Sequence, residues 1–141
     1  MSYDISLIDP VTKEVLELDA LHQMKGGTHA LGGTKEAWLN ITYNYSPWYY
    51  KSEVFPVADD GKSKGIRAIY GMTGAESIPV LRNAITVLEH ITEDISDDER
   101  KEYEKQGVAG YWIPTRINAI RPLYSLLAFA QMRPDGLWEG D

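Results

Sequence analysis

Cysteine is absent from the 141-residue sequence. Its absence excludes disulfides, thiolate zinc sites and a cysteine nucleophile, and it suits a reducing compartment. Long apolar runs are missing too: no stretch approaches the roughly 18 residues that a membrane-spanning helix needs. The opening MSYDISLIDP carries Asp4 and Asp9 and lacks a basic start followed by an apolar run. No secretory leader is therefore expected, and the cytosol is the expected location. Positive charge is in deficit, with 14 Lys and Arg against 21 Asp and Glu, for a net charge of −7. That balance opposes direct binding to nucleic-acid phosphates. Histidine is scarce, and His22, His29 and His90 show neither HxH nor HExxH spacing, so no metal site is expected. Gly61-Lys62-Ser63 ends like a phosphate loop, but Pro56 stands where the first glycine of such a loop must be. Nothing in the spacing assembles a serine, histidine and aspartate for nucleophilic catalysis or calls for a cofactor. The chain reads as a non-enzymatic protein.

What the sequence does have is the segment Trp38 to Tyr50, WLNITYNYSPWYY, which concentrates six of its fifteen aromatic residues. Interleaved with them are Asn40, Thr42, Asn44 and Ser46. Rings supply contact area while amides and hydroxyls fix orientation, a mixture suited to recognition. Strand alternation over Glu36 to Tyr45 places Leu39, Ile41, Tyr43 and Tyr45 on one face and Trp38, Asn40, Thr42 and Asn44 on the other. Asparagine is depleted in strands, so the second face must either bond internally or meet a partner. Ser46-Pro47 then reads as cap and first position of a short helix displaying Trp48, Tyr49 and Tyr50.

The remaining pattern gives an α+β domain over residues 1–141. A small antiparallel sheet, made of an N-terminal hairpin (Tyr3 to Ile8 with Glu14 to Leu18) plus the strand at 36–45, is covered by a C-terminal helical layer. Leu21 to Lys35 reads as a Gly-rich connection with a strand at Thr28 to Leu31. Val57 to Gly65 reads as a polar loop. Thr73 with Glu76 forms a capping box for a helix that buries the stripe Ile78, Leu81, Ala84, Ile85, Leu88 and Ile91 and contains Pro79. Ser96 with Glu99 forms a second box, opening an exposed helix that ends near Gly107. Thr115 caps a third helix, apolar nearly all round from Leu123 to Ala130. Trp138 is expected to fold back and pack.

Two further features could carry contacts. From Glu93 to Glu104 seven acids face only Arg100 and Lys101. Asp94, Asp97, Asp98, Glu99 and Glu102 there form either a solvated face or an acidic patch that competes with nucleic acid for a basic groove on a partner. Lys25-Gly26-Gly27-Thr28 could hold an anion, since consecutive glycine N–H groups converge beside a lysine and a hydroxyl.

Several strings resemble a family of small proteins encoded in bacterial genomes and prophages: His22 to Thr28 (HQMKGGT), Trp38 to Tyr45, Tyr70 to Pro79 (YGMTGAESIP), and the ending Arg133-Pro134-Asp135-Gly136 with Trp138 and Gly140-Asp141. The resemblance carries no activity and no catalytic residue. It implies a compact accessory protein of phage or prophage origin, acting in the host cytosol on a host protein. Three readings follow. The first is a binding protein, an inhibitor of a host defence component, using Trp38, Asn40, Thr42, Asn44, Trp48 and Tyr49 together with the acidic patch. The second is a binder of a small ligand or signalling nucleotide, with Lys25 to Thr28 on the phosphate. The third is a self-associating structural accessory protein with its aromatics at a homodimer interface.

Overall fold

Alternating apolar and small polar residues make Ser2–Ile8 a strand, and the sheet is organised around it. In the computed structural model, residues 2–25, 28–108 and 110–141 are described, with the side chains of 23–31 excepted. Strand β1 (Ser2–Ile8) lies at the centre of a three-stranded antiparallel sheet, between β4 (Trp38–Thr42) and β5 (Leu137–Gly140). The registers Tyr3↔Ile41, Ile5↔Leu39 and Leu7↔Trp138 put all six of these side chains on one face, and all are buried. The pairs Ser2↔Thr42 and Asp4↔Asn40 occupy the opposite face.

The expected N-terminal hairpin survives only at its base. Asp9 Oδ1 accepts the N–H groups of Val11 and Thr12, Lys13 turns the chain at φ 66°, and Ile8 bridges Val15. Beyond Leu16 the second arm leaves β1, because Ala37 takes its place: Ala37 N donates to Leu16 O and Leu7 N to Ala37 O, each at 2.9 Å. The departing arm becomes β2 (Glu17–Lys25), paired antiparallel with β3 (Thr28–Glu36) in a separate two-stranded ribbon. The Gly-rich connection is thus mostly strand. The 36–45 strand is shorter than its alternation suggests, since after Thr42 the chain coils into a 3-10 turn at Tyr43–Tyr45.

Among the described residues the α-helices that follow are α1 (Ser46–Tyr49), α2 (Gly74–His90), α3 (Asp97–Lys105) and α4 (Arg116–Met132). The Thr73–Glu76 capping box is formed in both directions. Leu81, Ala84, Ile85 and Leu88 of the expected stripe are buried, with Ile78 and Ile91 half-buried at its ends. Helices α2 and α4 pack on one another to build the layer against the sheet, so the fold is α+β. Only half of the second box forms, Ser96 Oγ accepting from Glu99 N, and no residue of α3 is buried.

Trp138 does pack, but as part of β5: its indole N–H donates to Ser77 Oγ at 2.7 Å, and Ser77 Oγ donates to Gly74 O. Glycine is required at position 74, where a Cβ would collide with Arg133 O in the turn that leads into β5. Arg67 locks the opposite end of the sheet. Its guanidinium lies 4.8 Å from the Tyr3 ring centroid and 5.6 Å from that of Tyr43, while Nε donates to Asp141 O at 2.7 Å. Among the described residues, no helix is long and apolar enough to cross a membrane.

Candidate functional site

Most of the aromatic segment is committed to holding its own chain. Tyr49, expected on display, is fully buried and donates its hydroxyl hydrogen to Ala119 O of α4 at 2.6 Å. Trp48, also expected on display, is 7% exposed, and its indole N–H donates to Pro114 O at 2.9 Å. Tyr45 is buried and donates to Tyr111 O; Asn44 Nδ2 donates to Trp112 O at 3.0 Å. The rings of Phe55, Tyr49, Tyr45 and Tyr111 stand edge to face in succession, with centroids 6.1 to 6.3 Å apart. Burial pushes the Tyr49 hydroxyl well above its ordinary range, and that of Tyr45 in the same direction. Ser46 does not cap α1; its Oγ lies 2.6 Å from Tyr3 OH instead. The mixture of rings and amides is therefore explained largely by the 111–119 segment, which it clasps. Trp48 and Tyr49 cannot serve as an exposed aromatic platform.

The outer face of β4 is different. Trp38, Asn40 and Thr42 are half-buried there. Asn40 Nδ2 donates to Ser2 Oγ at 2.6 Å and to Asp4 Oδ1 at 2.5 Å across the β1–β4 pair. Thr42 Oγ1 accepts from Asn44 N at 3.2 Å and caps the 3-10 turn. Facing them across a gap is the end of α3 and the chain beyond it, so that Asn40, Thr42, Asn44, Gln106, Gly107 and Trp112 line a polar cleft of about 460 Å³.

A second depression lies where the 92–115 excursion begins. Its floor is Trp48 with Pro47 and Pro114, and its rim carries Glu93, Asp94 and Glu99, enclosing about 270 Å³. Lys51 reaches over the indole, its Nζ 5.7 Å from the ring centroid. Asp94 is also engaged within the chain. Its Oδ1 accepts from Ile95 N at 2.8 Å and from Arg116 N at 3.0 Å, tying the excursion to the first turn of α4. Of the acidic patch, Asp94 and Glu99 thus join Trp48 in one groove. Asp97, Asp98 and Glu102 are exposed on α3 and do not line it.

The proposed anion loop is only partly in view. Lys25 and Thr28 pair at the end of the β2–β3 ribbon. Gly26, Gly27 and the side chains of Lys25 and Thr28 lie outside the described residues. Sequence reasoning missed Ser2, Gln106, Trp112, Lys51 and Pro114, all of which line one depression or the other. Their signals are unreadable locally: Trp112 and Pro114 meet Asn44 and Trp48 across more than 60 residues of chain, and Ser2 meets Asn40 and Thr42 only through the β1–β4 register; Lys51 alone is a near neighbour. Among the described residues, no three His, Asp or Glu side chains form a metal-binding group. No protein-family model, curated protein or solved structure matches the chain.

Proposed function

We propose that the chain is a non-enzymatic binding protein of phage or prophage origin. On this reading it engages a host protein, with inhibition of a defence component as its role. The observation that carries the contact is the acidic groove, where Glu93, Asp94 and Glu99 rim the indole of Trp48. A cation drawn to that rim would find a π face beneath it, as the ammonium of Lys51 does within the chain. The expected partner is therefore basic, in keeping with a protein that itself handles nucleic acid. The phage or prophage setting is supported by the resemblance of the HQMKGGT, WLNITYNY and YGMTGAESIP strings.

The decisive comparison is co-purification from host lysate with the wild type, a Glu93→Lys/Glu99→Gln double variant and Lys51→Ala. Both carboxylates are exposed, so the double variant should stay folded; weakening the acidic first turn of α3 costs at most about 1 kcal/mol. A partner docked in the groove should be held about tenfold or more weakly by the double variant. Lys51→Ala, which removes the competing internal cation, should hold it more tightly. Identical partner lists and affinities for all three proteins would remove the groove from consideration.

A small-ligand reading is favoured separately by the concavity at the Asn40–Asn44 face. A nucleotide draws little support there, because among the described residues no Lys or Arg lines that cleft.

A further inference from the structure

We propose that the cleft on the outer face of β4 binds a neutral polyhydroxylated ligand, one or two sugar rings in size. This inference develops the small-ligand reading and does not depend on the acidic groove. At about 460 Å³ the cleft falls within the range of small-molecule sites.

Its polar groups are already fixed by bonds within the protein. Asn40 spends both amide hydrogens, one on Ser2 and one on Asp4, which leaves Oδ1 as a rigid acceptor. Asn44 gives one amide hydrogen to Trp112 O and keeps Oδ1 and a second N–H. Thr42 Oγ1 accepts from Asn44 N, so its own hydrogen remains to donate. Gln106 Nε2 donates one hydrogen to Glu102 Oε1 at 3.2 Å, leaving its carbonyl oxygen and a second N–H. Among the described residues the one buried side-chain polar atom without a partner is Arg116 Nε. The partnerless Oδ1 atoms of Asn40 and Asn44 are therefore not sealed, and both residues line the cleft with Thr42 and the exposed Gln106. Groups held in place before binding lose little freedom when a ligand arrives.

The same inventory selects the ligand. With no Lys or Arg among the described residues of the lining and Asp4 beside Asn40, a phosphate or carboxylate would enter without a counter-charge. Spare acceptors and spare donors are both present. Hydroxyl groups match such a set, because each can donate one hydrogen bond and accept others. Half-buried Trp112 closes one side, a suitable neighbour for the apolar face of a sugar ring.

The test is a titration of the whole chain, followed in ¹H–¹⁵N correlation spectra. The probes are hexoses, N-acetylhexosamines and their β-linked disaccharides, with inorganic phosphate and adenosine monophosphate as anionic arms. At least one saccharide should give saturable shifts at the Asn40 and Asn44 side-chain amides, the Gly107 amide and the Trp112 indole N–H. Gln106→Ala, an exposed substitution that the fold should tolerate, should weaken that saccharide about fivefold, the effect of one neutral hydrogen bond. The proposal is overturned if no saccharide saturates at tens of millimolar, or if its shifts fall elsewhere. It is equally overturned if Gln106→Ala binds as well as wild type, or if the anions occupy these amides more tightly. None of these results bears on the acidic groove, whose failure would show only in the co-purification.

Discussion

The hydroxyl of Tyr49 lies in a fully buried environment and has one bond, 2.6 Å to Ala119 O. A buried hydroxyl without that bond would be a liability, so its presence marks a specified contact between α1 and α4. Tyr49→Phe should lower the free energy of unfolding by about 1–2 kcal/mol without changing the fold, as read from urea midpoints at constant slope. A neutral result would mean that Ala119 O is satisfied without the hydroxyl. Position by position, the sequence separates these roles poorly. A helix of four residues has no period from which to read its inner face, so Trp48 and Tyr49 look available. Their acceptors, at Pro114 and Ala119, are 66 and 70 residues away. By contrast the inward placement of Leu39 and Ile41 follows from strand alternation alone.

At the level of elements, legibility tracks how local the determinants are. Helix α2 carries its start signal and its apolar stripe within its own sequence, and both are found as written. Thr73→Ala, which removes the capping hydroxyl, should cost about 1 kcal/mol in thermal or chemical unfolding, and Thr73→Ser should restore most of it. If Ala and Ser variants unfold alike, the box contributes nothing. Strand β1 behaves differently. Its sequence announces a strand but not its neighbours, and the obvious hairpin partner is displaced by Ala37 while β4 and β5 arrive from 38 and 137 onward. Pairing of that kind depends on which arm can also bury its other face. Helix α3 is the opposite case: with no buried residue, its charge pattern is all it has, and that pattern alone marks it as exposed.

For the molecule as a whole, an excess of buried tyrosine has a consequence for pH. Tyr3, Tyr45, Tyr49, Tyr70 and Tyr111 are all held above the ordinary tyrosine value of 10.0, chiefly by burial. The folded state therefore keeps these protons where the unfolded chain has begun to lose them. Stability from this source is complete below about pH 10 and declines as pH rises beyond it. For Tyr49 alone the slope is up to about 1.4 kcal/mol per pH unit. Urea midpoints should consequently fall steeply above about pH 10, with tyrosinate absorbance appearing together with unfolding. Tyrosinate formation at full amplitude in a still-folded protein would contradict that linkage.

The sequence by itself determined the class: early strands followed by helices, two well-marked helix starts, the apolar stripe of α2 and an acidic, cysteine-free composition. These are properties of short windows, where periodicity, capping and composition act within one element. Tertiary structure alone decided what the aromatic segment is for. It turned Asn44, Tyr45, Trp48 and Tyr49 onto the 111–119 chain, joined Trp48 to the acids of the 92–115 excursion, and left the Asn40–Asn44 face walled into a cleft. The reason is that a polar group seeks whichever partner lies within about 3 Å, and folding brings that partner from anywhere in the chain.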